Sequence, residues 1–296
     1  MSQDLKEKIK DNYNDKNKLR FFAYEFIGTA IVTFGANMGA NLYLIVLWLC
    51  WEVSAAHFNM ALSLGSLVLG LNDKEWTKHM TDYIFIAFVQ FLGAMCGTFL
   101  TYIAVIVTET SSHYIDAQGN TQNYVAKDYS PPTPTWCPTA LGVAGDACGQ
   151  QGVDWEVFVN EFITSFLFIF VFLIIRNYKL TGDSSKWHAF GKAFLVYQAY
   201  NSINSVSNIS TPGAIQQALN PTYALQLWFW EMGSYNRGAV NLHTNYFVTQ
   251  YDARHLGNYF WVYLTAPLVA AIPAGLLAKK HLKILEDGGT SEELDK

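Results

Sequence analysis

Residues 193–230 contain no Asp, Glu, Lys, Arg or His, a run of thirty-eight positions without a charge. That is nearly twice the ~20 residues one helix needs to cross the ~30 Å hydrocarbon core of a bilayer. A single helix does not account for it, because residues 201–213 are rich in Ser, Asn and Thr and contain Pro212, a composition of turns and breaks. Two further runs are similar. Residues 26–51 carry no charge, with Glu52 and His57 the only acidic or basic side chains before Asp73, and residues 83–108 carry none. Charged residues make up 15% of the chain and hydrophobic ones 51%, against ~25% charged in soluble domains. The pattern predicts an all-α membrane protein. Irregular backbone at membrane depth is tolerated only where protein or a cavity surrounds it, so the polar interruptions point to broken spans.

The breaks fall at two similar places. Ala55-Ala56-His57-Phe58-Asn59-Met60-Ala61 precedes an apolar run over 62–70, and Leu219-Asn220-Pro221-Thr222 precedes one over 223–230. Asn is a strong helix N-cap, and Pro at the first helical position lacks an N–H that would be unpaired there anyway. Asn59 to Gly70 and Asn220 to Glu231 are each eleven positions, ~16 Å of helix and about half the hydrocarbon core. Two such half-helices are expected to meet at the bilayer midplane with their positive dipole ends facing. The plainer alternative is two ordinary N-caps in a bundle; the symmetric pair favours a pore constriction.

His57-Phe58-Asn59-Met60-Ala61 resembles the Gly-Ala-His-x-Asn-Pro-Ala segment of the aquaporin (major intrinsic protein) family, and Asn220-Pro221-Thr222 resembles that family's second Asn-Pro-Ala. Met60 replaces the first Pro and Thr222 the second Ala. Glu25-Phe26-Ile27-Gly28-Thr29, which recurs as Glu161-Phe162-Ile163-Thr164-Ser165, is similar to the Glu-Phe-x-Gly-Thr at the start of that family's first span. The resemblance covers about 20–280. It implies six transmembrane helices plus two re-entrant half-helices in an inverted repeat, a homotetramer, and a passive channel for water or small neutral solutes. Glu25 and Asn59 are 34 positions apart, shorter than the family's spacing, so spans one and two are expected to be short.

The chain divides accordingly. Residues 1–20 alternate Lys with Asp and Glu and lack an apolar signal core; they read as a polar cytoplasmic tail. The first repeat, 21–108, holds spans at about 21–38, 42–54 and 83–108 and the half-helix 59–70. A loop follows over 109–154, where Pro131, Pro132, Pro134 and several Gly dominate. The second repeat, 155–278, holds spans at about 155–175, from after Lys192 to 205, and 256–278, with the half-helix 220–230. Residues 279–296 form a second tail. Six Lys or Arg in the amino tail, Lys74 and Lys78, then Arg176, Lys179 and Lys186, then Lys279, Lys280 and Lys283 lie on one side, against Lys127 alone in the long loop. The positive-inside rule places both termini in the cytoplasm, with Arg237 and Arg254 the exceptions. Cys137 and Cys148, eleven apart in the loop, are free thiols or, on an outer face, a disulfide, which is the expectation here. Cys50 and Cys96 lie in apolar runs.

At the constriction, Asn59 and Asn220 donate amide N–H groups to a passing oxygen, while Met60, Ala61, Pro221 and Thr222 complete the two motifs. His57 lines the inner vestibule or braces the loop. Glu25 and Glu161 are acids at lipid depth, functional candidates by default; the resemblance implies that they accept hydrogen bonds from the backbone of the re-entrant loops. Tyr223 stands where the family commonly has the Arg of its outer filter, so that filter lacks its cation. Gln217, three before Asn220, and Gln198 in span five are the other filter candidates. Asn208-Ile209-Ser210 matches a glycosylation sequon beside the pore mouth, where chance is the better reading. No enzyme signature, metal cluster or cofactor motif is present, and a net charge of −5 suggests no nucleic-acid partner. The expected partner is the lipid bilayer. Two alternatives remain beside the channel: a non-conducting structural subunit of a larger membrane assembly, and an ion-coupled transporter. The latter is disfavoured by the lack of ion-pair candidates beyond the two Glu.

Overall fold

The computed structural model describes residues 16–37, 41–54, 56–70, 76–108, 111–115, 121–125, 154–178, 186–210, 219–226 and 253–288. They form eight helices and one hairpin. The helices are α1 (Lys16–Asn37), α2 (Tyr43–Ser54), α3 (Met60–Leu69), α4 (Trp76–Thr108), α5 (Asp154–Asn177), α6 (Lys186–Ser210), α7 (221–226) and α8 (Ala253–Gly288). Four of them contain stretches long and apolar enough to cross a membrane: Asn17–Asn37, Met80–Thr101, Phe158–Asn177 and Trp261–Leu285. Outward side chains on them and their neighbours are large and apolar, among them Ile27, Ile84, Phe88, Phe99 and Leu276. A water-facing surface would not carry so many; hydrocarbon would. By contrast α2 and α3, at 12 and 10 residues, reach only ~18 and ~15 Å.

Three features differ from the sequence expectation. α1 takes in residues 16–20 of the tail assigned to 1–20, where Lys18 Nζ lies 3.1 Å from both carboxylate oxygens of Asp82 on α4. α6 begins at Lys186 rather than after Lys192 and continues past 205 to Ser210. Lys192 sits inside it because its Nζ donates to the Arg176 carbonyl at 2.9 Å. The segment 109–154 is not loop throughout: among the described residues a short hairpin stands beside the helices. Strands β1 (Ser111–Ile115) and β2 (Thr121–Val125) pair antiparallel, Ser111 opposite Val125 and Ile115 opposite Thr121.

Small residues set the close contacts. On α4, a Cβ at Gly93 would lie 2.5 Å from the Phe26 carbonyl oxygen, and one at Gly97 2.4 Å from that of Ala30, both on α1. This four-residue glycine spacing lets two backbones approach as lipid-embedded helices do. On α8, Ala266, Ala270, Ala274 and Ala278 are wholly buried at the same spacing, and α5 packs along this helix as α1 packs along α4. α3 is seated against α8, where a Cβ at Gly275 would come within 2.7 Å of the Gly65 oxygen. A core of Leu47, Leu62, Phe168, Phe172, Val196 and Ala271 joins α2, α3, α5, α6 and α8.

Candidate functional site

Asn59 and Asn220 come together, each at the head of its helix. Asn59 is the N-cap of α3, with extended backbone (φ −154°, ψ 121°), and its Oδ1 accepts the N–H of Ala61 at 2.8 Å. Asn220 Oδ1 accepts the N–H of Thr222 at 3.0 Å, the same register at the head of α7. Each side-chain carbonyl therefore caps its own helix. Each amide nitrogen crosses over: Asn59 Nδ2 donates to the Leu219 carbonyl at 2.7 Å, and Asn220 Nδ2 donates to the Phe58 carbonyl at 2.9 Å. The exchange is reciprocal and brings the positive ends of α3 and α7 together. An amide carries two N–H groups, so each Asn keeps one beyond the crossing bond.

The two departures from the Asn-Pro-Ala pattern are adjacent. Met60, unlike a Pro, has an N–H, and it points to the Thr222 hydroxyl at a long 3.4 Å. An alanine at 222 would offer it no acceptor. Ala61, Pro221 and Thr222 are buried and Met60 is half-buried.

The residue before each Asn is left-handed. Phe58 has φ 49° and Leu219 φ 47°; Ala56 has φ 53°. Side chains with a Cβ disfavour this region by ~1–2 kcal/mol each, and the acids of the two repeated motifs hold it. Glu25, on α1, accepts from the backbone N–H of His57 at 3.1 Å and of Phe58 at 2.9 Å, and from Gln90 Nε2 at 2.8 Å. Glu161, on α5, accepts from the N–H of Leu219 at 2.6 Å. Both acids are fully buried. Gly28 lies one turn beyond Glu25, and a Cβ there would fall 2.0 Å from the Phe58 ring. Glu25 thus grips the loop backbone while Gly28 leaves a slot for its ring.

His57 is buried and braced. Its Nδ1 lies 3.3 Å from Ser63 Oγ and its Nε2 3.0 Å from Ser66 Oγ, and the Arg176 guanidinium contacts Nε2. Phe172 and Phe21 flank the ring. Gln90 Nε2 also donates to Ser63 at 3.0 Å. Gln90, Ser63, Ser66 and Arg176 were not singled out by sequence. Gln90 had a signal, as an amide in the middle of an uncharged span; Arg176 read only as a topology charge.

Of the filter candidates, Tyr223 is half-buried on α7. Gln198 is not brought to the site: it is exposed on the face of α6 that carries Phe194 and Leu195, away from the packed face of Ala193 and Val196. Gln217, Cys137 and Cys148 lie outside the described residues, whose two cysteines, Cys50 and Cys96, are free thiols. Among the described residues no group of three or more His, Cys, Asp or Glu is placed to hold a metal. No protein-family model matches the chain, and no curated protein matches it.

Proposed function

We propose that the chain is a passive membrane channel of aquaporin-like design, with six spans and two re-entrant half-helices in an inverted repeat, passing water or small neutral solutes. Support comes above all from the reciprocal exchange in which each Asn caps its own helix and donates to the opposite loop. Such a pair presents two spare amide N–H groups and two converging helix dipoles at one point. A neutral oxygen is accepted there, and the positive ends of both helices disfavour a cation at that point without excluding it by themselves. The buried acids are committed to backbone N–H groups, which argues for bracing over proton relay. Both termini on the cytoplasmic side, and a homotetramer, complete this proposal.

The test is stopped-flow light scattering on proteoliposomes, with Asn59→Leu and Asn220→Leu beside wild type. Water or glycerol flux that the substitutions abolish is expected; wild-type vesicles as tight as empty ones refute the channel. In that case the chain is a non-conducting structural subunit, a reading favoured by the ~18 Å reach of α2. Tyr223 separates the forms of channel. With its ring along the wall, Tyr223→Arg lowers glycerol flux; with its ring across the path, Tyr223→Ala opens a closed pore.

A further inference from the structure

Arg176 stands in the last turn of α5, fifteen residues and ~22 Å of helix beyond Glu161, which holds the Asn220 loop. Its guanidinium contacts Nε2 of His57, two residues before Asn59. A guanidinium only donates, so Nε2 carries no proton and the ring proton sits on Nδ1, facing Ser63 Oγ at 3.3 Å. Ser63 Oγ takes a second bond from Gln90, which also donates to Glu25. Glu25 in turn takes the N–H groups of His57 and Phe58. The chain of partners from the guanidinium therefore runs through neutral groups and ends on an acid engaged with the loop backbone. Among the described residues no carboxylate lies within ion-pair distance of Arg176; the ion pair they contain is Lys18 with Asp82. Lys192 adds a second cation nearby, its Nζ on the Arg176 carbonyl. Glu52, on the exposed face of α2, acts through space on Lys192, as buried Glu25 does on Arg176. Half-buried and fixed by His57, Arg176 holds a permanent positive charge beside the loop that leads into the Asn pair.

We propose that Arg176, seated on His57, is the cation barrier at the inner side of this pathway, supplying a fixed positive charge there. This rests on the channel reading above. A permanent guanidinium in a water-poor passage repels monovalent cations and hydronium while leaving uncharged solutes unaffected. The proposal concerns the charge of the side chain; the hydrogen bond to His57 fixes where that charge stands.

Purified wild type, Arg176→Gln and Arg176→Lys in proteoliposomes are compared in two assays: water and glycerol flux by light scattering, and potassium entry by an entrapped potassium-sensitive dye. Arg176→Met, which keeps the apolar stem, replaces Arg176→Gln if that variant elutes as aggregate. Wild type is expected to pass solute and exclude potassium. The neutral variants pass solute but admit potassium about tenfold faster or more, and Arg176→Lys stays within about threefold of wild type. Neutral variants that conduct solute and remain as potassium-tight as wild type overturn the barrier alone, as does potassium entry through wild type or a lysine variant that leaks like the neutral ones. No solute flux through wild type overturns the channel itself, and the barrier with it.

Discussion

The slot between Gly28 and Phe58 yields the sharpest prediction. In Gly28→Ala the new Cβ would lie 2.0 Å from Phe58 Cε1 and 2.4 Å from Cζ, where carbon atoms normally sit ~3.5–4.0 Å apart. The ring cannot swing into open space, because Phe58 is 1% exposed. Its backbone is pinned as well, the N–H to Glu25 and the carbonyl to Asn220. Either α1 moves away or the loop shifts by ~1.5 Å. Overpacking of this kind costs ~1–3 kcal/mol, and loss of the Asn220–Phe58 bond adds ~1 kcal/mol. The expected destabilisation is therefore ~2–4 kcal/mol, or roughly 5–15 °C in the apparent melting temperature for a chain of this size. Phe58→Leu alone costs ~1–2 kcal/mol by leaving space. The double variant should lose less than the sum of the two single losses, by a coupling of ~1–3 kcal/mol, as touching side chains show. The assay is thermal unfolding in detergent at one fixed scan rate, with solute flux measured alongside. Wild-type stability in Gly28→Ala, or strictly additive losses in the double variant, refutes the slot.

Three further outcomes follow from the same geometry. Glu25→Gln turns one acceptor oxygen into a donor that faces either the His57 N–H or the Phe58 N–H and Gln90 amide; it should cost ~2–4 kcal/mol in thermal unfolding, and an unchanged melt contradicts the clamp. Thr222→Ala strands the Met60 N–H and should cost ~1 kcal/mol, whereas Met60→Pro with Thr222→Ala restores most of it; a double variant worse than the single would show that the pair is not coupled. Gly97→Leu drives a side chain against the Ala30 carbonyl and Thr33, so it should separate α1 from α4 and lower expression and melting temperature, while Gly191→Ala, with nothing nearby, should do neither.

What the sequence conveys well is local. The uncharged runs over 26–51 and 83–108 fall on α1, α2 and α4, and the Asn59-to-Gly70 interval coincides with α3, because caps and charge act over one or two turns. What it conveys poorly is set by distant contacts. That Lys18 belongs with α1 depends on Asp82, 64 residues away, and that Lys192 is accommodated within α6 depends on Arg176. The hairpin had a local cue, Gly119-Asn120 between the two strands, overshadowed by the prolines that follow. At the site, the Asn pair and the two acids stand out through repetition. The braces Gln90, Ser63 and Ser66 do not, since nothing repeats them, and Gln198 shows that polar character within a span does not tell which face a residue occupies.

The crossing of Asn59 to the Leu219 carbonyl spans 160 residues, and this shapes how the protein is made. Synthesis at ~5–20 residues per second puts roughly ten to thirty seconds between the appearance of the donor and that of its acceptor. Over that interval α3, ten residues long, has neither the length to cross a bilayer nor the acceptor for the Asn59 amide N–H. A further support, Gly275 on α8, emerges later still. The first half is thus obliged to wait in a sheltered, incompletely bonded state, and premature release or truncation before residue 219 leaves a polar loop without its counterpart. Cellular quality control has a defined interval in which to act on this chain, and variants that weaken Glu25, its earliest available brace, lengthen the exposure before any effect on the finished protein is felt.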